Sequence, residues 1–416
     1  MFTFKRGVRL PENKPGQETV ISKIDTPEKL YIPLQQHIGK PAKALVKVGD
    51  YVKKYQKIGE AQGKISANIH ASSSGKVTEA GKQIVIETDG EDLAVELKKT
   101  EHPNKEEIIQ IIREAGIVGM GGATFPTDVK LQPPGEIEEF ILNGCECEPY
   151  LTTDYRLMLE ETEKIVMGMK QMIKACNAKR GIIAIEENKR DAFKKVHKLA
   201  AKENIETVLV KTKYPQGAEK MLIHAITKKK VPTGKLPSDV NCVVNNVATA
   251  KAVHDAVYEG KPLTERVVTV TGAVNKPMNI LTRIGTPFEK LIQKAGIKDG
   301  VKKIIAGGPM MGTTIDDTGI PVLKGTSGIL LQKEPVEGDF EHCIRCGECL
   351  RVCPMKLAPT KIATFADKEM YNDAKKTHAM DCIECGCCAY ACPSRIPLVQ
   401  YIRLAKEGIR NEANKS

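Results

Sequence analysis

CIRCGECLRVCP, residues 343–354, and CIECGCCAYACP, residues 382–393, are two copies of one pattern, C-x2-C-x2-C-x3-C-P, set 39 residues apart. Three thiolates in a tight turn can cap three irons of one cubane. The fourth Cys, just before Pro, lies too far along the chain and reaches the neighbouring cluster. The spacing therefore predicts two 4Fe-4S clusters with crossed ligation. Cys343, Cys346, Cys349 and Cys392 hold one; Cys382, Cys385, Cys388 and Cys353 hold the other. Pro354 and Pro393 lack an N–H and fix φ, so each turns the chain away after the fourth ligand. Cys387 is out of register and reads as a spectator. Zinc sites use four Cys in two separated pairs, and disulfides suit a small secreted chain. Neither fits eight Cys in two runs of four.

A chain of 416 residues has room for about two to four domains. It contains no Trp and 8 Phe, so its cores must rest on Ile, Val, Leu and Ala. The net charge of +11 fits nucleic acid, a membrane surface or an acidic partner. Nucleic acid is the weakest of these, because no zinc finger or aromatic–basic RNA motif is present. No apolar run approaches the ~18 residues of a membrane span. The segment MFTFKRGVRLPENK lacks an apolar h-region, which predicts no signal peptide and a cytoplasmic protein. Thirteen Cys in a reducing compartment fit metal ligation. The eight His are scattered, with no pair in metal spacing.

Residues 1–30, with Pro11, Pro15, Gly16 and Pro27, read as an extended arm. From Pro41 to Leu97, short alternating segments between Gly-Asp, Gly and Ser clusters read as strands and turns. VKVGDYVKKYQKIG from Val46, with IHASSSGKV from Ile69, resembles the lipoyl/biotinyl-type barrel-sandwich fold. Lys64 falls near that family's cofactor-bearing Lys but lacks the flanking Met or Asp–Ala. The segment is therefore expected to be a small β domain used for docking.

From Lys105 the register changes. Ile108, Ile111 and Ile112 recur at helical spacing. Gly116, Gly119, Gly121 and Gly122 then open a turn whose N–H groups can form an anion-binding nest. It is not the dinucleotide fingerprint, because no strand leads directly into it. FILNGCECEPYLTTDYRLM from Phe140 reads as a buried strand ending in a polar turn. There Glu146 and Glu148, close to Asn143, can hydrogen-bond a ribose, a ribityl chain or a nicotinamide amide. GIIAIEE from Gly181 and TVLVKTKYP from Thr207 read as strands beside helical patterns, hence α/β. YPQGAEKMLIHAI from Tyr214 begins a helix with Glu219 in its first turn. CVVNNVATAKAVHDAV from Cys242 is a strand into a helix, with Asn245, Asn246 and Thr249 at a junction that favours phosphate.

The order GMGGATFPT, NGCECEPY, YPQGAEK, VVNNVATA resembles the flavin- and NADH-binding subunit of respiratory complex I. More closely, the chain resembles the RnfC family of Rnf complexes, membrane-bound ferredoxin:NAD oxidoreductases that pump Na+ or H+. The resemblance runs from the PENK arm through HASSSGKV to the cysteine repeat, in a short form without a long repetitive extension. It implies that Gly119, Gly121, Gly122, Asn143, Glu146, Asn245, Asn246 and Thr249 surround FMN, with Lys130 near the flavin. It implies that Phe125 stacks on the NADH adenine and that Glu148 and Glu219 hold the nicotinamide end as the catalytic acids. Met120 stands where complex I has Arg, Thr124 replaces a glycine, Ala218 replaces the first of two acids, and Cys145 sits where relatives carry Ala.

The expected architecture is multidomain α/β and α+β. A barrel-sandwich β domain with its arm spans residues 1–100, and a complex I flavoprotein-like α/β domain that binds FMN and NAD(H) spans 101–260. Residues 261–335 resemble a soluble-ligand-binding β-grasp domain, whose implied role is geometric; its loop at Gly307, Gly308, Pro309 and Gly312 is expected to contact the flavin domain. The spacer 355–381, rich in Ala, Lys and Met, favours helix, so the clusters are expected in an α-helical ferredoxin domain at 336–416. IPLVQYIRLAKEGIR from Ile396 is an amphipathic helix expected to pack there. The implied function is that of a peripheral component on the cytoplasmic side of the membrane, with other Rnf subunits as partners and ferredoxin reached indirectly. A soluble cobalamin reductase with the same cofactors and a non-catalytic iron–sulfur scaffold are the alternatives. Met120 and Ala218 are the scaffold's best support.

Overall fold

The computed structural model describes residues 1–334 and 339–415. The expected boundary at 335/336 lies outside the described residues.

The barrel-sandwich is built from two small sheets. Lys29–Pro33, Gln83–Thr88, Gly75–Ala80 and Tyr51–Val52 form one; Lys43–Ala44, Lys57–Glu60 and Ile69–His70 form the other. Alternation sets the faces: Leu30 and Ile32 point inward while Lys29 is exposed. They pack with Val52, Ile58, Ile84 and Ile86 in one core.

The next domain is a parallel four-stranded sheet. Its spatial order is Glu206–Val210, Arg180–Glu186, Glu139–Gly144, Cys242–Asn246. Helices cover such sheets on both faces, so the strands are almost wholly apolar; Gly181 to Glu186 are all buried. The chain steps outward from Glu139–Gly144 to Glu206–Val210. It then returns to the opposite side of Glu139–Gly144 with Cys242–Asn246. That reversal is a topological switch point, and open parallel sheets bind ligands in the crevice beyond the strand carboxyl ends there.

A six-stranded mixed sheet follows, centred on the hairpin Glu265–Gly272 and Met278–Arg283. Helix Phe288–Ala295 follows the hairpin, and Gly328–Gln332 returns parallel to Glu265–Gly272. This is the expected β-grasp order. Its edge strand, Ser22–Lys23, comes from the N-terminal arm.

The cysteine domain is helical, as its composition predicts: Pro359–Asp367, Tyr371–Lys376 and Leu398–Lys415. Leu398, Ile402, Ala405 and Ile409 recur at helical spacing and are all buried. The last three share a core with Ile362 and Ala366. The two cysteine runs also repeat in backbone geometry. Positive φ occurs at Arg345, Gly347 and Lys356, and again 39 residues on at Glu384, Gly386 and Arg395.

Two features tie the domains together. The arm has little regular structure, so its backbone groups must bond elsewhere. Val8 bridges Tyr214, Gly7 N–H donates to the Val352 carbonyl at 2.9 Å, and the Gly16 carbonyl accepts from Asn279 at 3.2 Å. The first residues of the expected 1–100 unit thus pack on the other three domains. The second tie is Lys324, fully buried. Its Nζ donates to the carbonyls of Asn68 at 2.6 Å and Gly116 at 2.7 Å, joining barrel-sandwich, flavin and β-grasp domains.

Burial pushes Lys324 down to about 7. The unfolded chain holds this proton to ~10.4, so above pH 7 the folded protein binds fewer protons and stability rises with pH. The urea midpoint is expected to climb between pH 7 and ~9.5 in the native protein and to lose that part of its slope in Lys324→Met.

Candidate functional site

The switch-point crevice is bordered by the ends of Glu139–Gly144 and Cys242–Asn246, where Asn143 and Asn246 are direct neighbours. The glycine loop lies across it. Thr127 N–H donates to the Ile117 carbonyl at 3.0 Å and Gly119 N–H to Phe125 at 2.9 Å, closing residues 119–125 into a loop. Met120 N–H donates to Thr249 Oγ1 at 3.0 Å, which anchors the loop to the first turn of helix Val247–Glu259. Gly121 is required by space: a Cβ there would stand 2.7 Å from Asn246 Nδ2. The Met120 side chain, in place of the complex I arginine, is buried in the same apolar core as Leu157 and Ala248.

Most of the expected flavin residues also bond protein, and so build the crevice walls. Asn246 Oδ1 caps helix Val247–Glu259 by accepting from Ala248 N–H at 2.8 Å, while its Nδ2 donates to Asp154 at 2.6 Å. Asn143 donates to the Gly217 carbonyl at 2.8 Å and accepts from Cys145 N–H at 3.1 Å. Glu146, at φ +48°, accepts from Asp154 N–H at 2.7 Å, Tyr155 N–H at 3.2 Å and Thr153 Oγ1 at 3.2 Å. Its carboxylate thus sits on the positive first turn of helix Thr153–Glu160. Burial, then the Glu146 charge, pushes Asp154 up to about 7.

Asn245 is different. It is 5% exposed, and its Nδ2 has no hydrogen-bond partner among the described residues. A buried unmatched donor costs about 1–3 kcal/mol, so this amide fits a ligand acceptor in the crevice. Together with the glycine loop, it fits FMN.

At the start of helix Glu219–Thr227, Glu219 pairs with Lys130 at 2.6 Å, bringing together two residues 89 apart in sequence. Phe125 is half-buried in the glycine loop. Glu148 instead reaches the β-grasp domain: Oε1 accepts from Met310 N–H at 2.6 Å and Met311 N–H at 3.2 Å. The loop around Gly307 to Gly312 therefore contacts the flavin domain, one of the two readings, a turn or such a contact, favoured over a phosphate site. Burial raises the Glu148 carboxyl.

Several residues beneath the site carried no local signal. Lys14 of the arm donates to the carbonyls of Glu146 at 3.0 Å, Glu148 at 3.2 Å and Leu151 at 2.6 Å. Its place in the PENK stretch was the one hint. The buried Glu186–Lys189 pair, at 3.0 Å, also holds the Cys145 carbonyl at 2.7 Å through Lys189. Tyr214 donates through its phenol to the Cys385 carbonyl at 2.7 Å.

Among the described residues none of the thirteen cysteines is in a disulfide. Cys353, Cys382, Cys385 and Cys388, the four expected to ligate one cluster, line one cleft together with Cys387. This donor set fits a cubane. Of the other set, Cys349 and Cys392 share an apolar cluster, while Cys343 and Cys346 are exposed. Cys387 is buried against Tyr214 and Val8.

A switch-point flavin crevice joined to two four-thiol sets defines an electron-transfer flavoprotein of the iron–sulfur class. Comparison with known proteins agrees. Residues 112–255 match the Nuo51 FMN-binding domain, 2–102 the RnfC barrel sandwich hybrid domain, 267–314 the SLBB domain and 336–393 the 4Fe-4S dicluster domain. The chain is 48% identical to the corresponding subunit of the proton-translocating ferredoxin:NAD(+) oxidoreductase complex from Clostridium ljungdahlii, over 90% of this chain and 87% of that one. It is 43% identical to the Na(+)-translocating counterpart from Acetobacterium woodii, over 91% and 90%. The NAD+-reducing [NiFe]-hydrogenase in its H2-reduced state shares the fold, with a TM-score of 0.52 and 18% identity over 74% of this chain and 64% of that one. The chain belongs to the RnfC family, whose members are subunits of ion-translocating ferredoxin:NAD(+) oxidoreductase complexes.

Proposed function

We propose that this chain is the electron-transfer subunit of a membrane-bound ferredoxin:NAD oxidoreductase complex and is itself where NAD(H) reacts. The observation that carries the reading is the buried unmatched Asn245 amide at the switch-point end of its strand, next to Asn246, which meets the glycine loop. FMN, when bound, supplies the conversion between a two-electron hydride and single electrons. Asn245 and the backbone of Gly119, Gly121 and Gly122 hold it. Asn143, Asn246, Thr249 and Glu146 fix the walls through the bonds described above. Lys130 and Glu219 border the nicotinamide end, and Phe125 receives the adenine. Glu148 acts through the loop it holds in place.

The eight repeat cysteines hold the two clusters in the crossed sets. No described helix is long and apolar enough to cross a membrane, so the ion path belongs to the other subunits of the complex. This chain docks on them at the cytoplasmic face and exchanges electrons with ferredoxin through them. Against the scaffold alternative, Met120 lies in the apolar core; Ala218 stands at the N-cap position of helix Glu219–Thr227 without a side-chain bond to it.

Purified protein is expected to carry one FMN and about eight irons and to reduce an artificial acceptor with NADH. Complete loading with both cofactors and no NADH oxidation would disprove a catalytic role for this subunit.

A further inference from the structure

The two cysteine sets are not equivalent. Cys353, Cys385 and Cys388 are buried and Cys382 half-buried; in the other set Cys349 is buried and Cys392 half-buried, but Cys343 and Cys346 are exposed. The buried set also touches the flavin domain. Tyr214, 2% exposed, donates its phenol hydrogen to the carbonyl of Cys385 at 2.7 Å. The same short stretch returns to the crevice. The Gly217 carbonyl accepts from Asn143 at 2.8 Å, and Gly217 N–H donates to Cys147 Sγ at 3.4 Å. From a crevice side chain to a cluster cysteine there are thus two hydrogen bonds and one four-residue segment.

Packing holds this segment from both sides. Val8 of the arm exchanges two backbone hydrogen bonds with Tyr214, at 2.9 and 3.0 Å. Tyr214, Val8, Cys385 and Cys387 form one apolar cluster with Cys147 and Met310 at its edge. Met310 completes the frame: its N–H is bound to Glu148, and a Cβ on Gly386 would stand 2.9 Å from its carbonyl oxygen. Gly386, at φ +80°, follows Cys385 directly.

We infer that the cluster held by Cys353, Cys382, Cys385 and Cys388 is the one adjacent to the flavin crevice, and that Tyr214 is the positioning residue that joins them. The cluster held by Cys343, Cys346, Cys349 and Cys392 is the outer one, facing the partner. The inference rests on the flavin reading above. Each hydride from NADH carries two electrons; they leave singly through the inner set and then the outer set, and the proton goes to solvent. Electronic coupling falls faster across a gap than along bonds, so the Tyr214 bridge favours the inner set. Polar groups beside a cluster tune its potential, and the Tyr214 hydroxyl lies on the backbone of a ligand cysteine.

The full-length protein tests this with two kinds of variant. Tyr214→Phe removes one hydroxyl from a buried site and keeps the ring. It is expected to lower the midpoint potential of one cluster, read by EPR-monitored redox titration, and leave the other in place. Cluster reduction by NADH slows while the KM for NADH is unchanged. Unchanged potentials and rate would overturn the role of Tyr214, as would a shift confined to the cluster that Cys343→Ser removes.

The order is read from cysteine variants in rapid-freeze EPR. With Cys343→Ser, NADH still reduces the remaining cluster in the first turnover; with Cys353→Ser, it does not. Rapid reduction in Cys353→Ser would overturn the order. Failure of the flavin reading itself has another signature: no flavin absorbance, or a flavin that NADH does not bleach.

Discussion

Lys189→Met is expected to cost about 3–5 kcal/mol of stability, because it leaves a buried carboxylate without its counter-ion. Lys189 and Glu186 are both almost wholly buried, 3.0 Å apart, at 4% and 1% side-chain exposure. Burial works against the Lys189 ammonium, but Glu186 and Glu146 outweigh it and hold its pKa above the ordinary lysine value. The same burial raises the Glu186 carboxyl. The ammonium also holds the Cys145 carbonyl at 2.7 Å, directly beneath the acidic turn. The loss should therefore reach function: the turn that carries Glu146 and Glu148 slackens. Denaturant titration of the flavin domain signal measures the cost. The double variant Glu186→Gln/Lys189→Met should recover most of it, because no charge then remains unpaired. A single variant as stable as the native protein would show that the site relaxes to admit water.

Gly121→Val is expected to weaken FMN retention about 5- to 150-fold, the factor that an overpacking strain of about 1–3 kcal/mol carries into binding. Even one added carbon would stand 2.7–2.9 Å from three atoms of Asn246. Asn246 cannot yield cheaply, because its two ends cap helix Val247–Glu259 and hold Asp154. The loop must move instead, and with it the Met120 bond to Thr249. Flavin content after gel filtration and a fluorescence titration with free FMN give the measurement. Iron content should stay at its native level, since the cluster cysteines lie elsewhere. Native FMN affinity in this variant would place the flavin away from the glycine loop.

Much of the site was legible because its signals are local. Helix Lys105–Glu114, strand Arg180–Glu186 and the turn from Asn246 into Val247–Glu259 all follow from periodicity and capping within a few residues. The crossed pairing of cysteines follows from the geometry of one turn, repeated. One cleft gathers Cys353 with Cys382, Cys385 and Cys388, and Cys387 also lines it. The order of four short patterns carried the family resemblance; the crevice position itself came from the strand order of the sheet.

What lay beyond the sequence spans domains. Lys14 meets Leu151 across 137 residues, Met310 meets Glu148 across 162, and Tyr214 meets Cys385 across 171. No period or spacing encodes such pairs; they exist because four domains dock in one arrangement, and a donor's partner is whichever acceptor the docking brings near. Taken by itself, the sequence determined two cysteine-bound clusters, because ligand chemistry resides in short motifs, and its resemblance to a family added the flavin. Only the tertiary structure decided that one cysteine set meets the flavin domain at Tyr214 while Cys343 and Cys346 of the other are exposed, because burial is a property of packed surfaces.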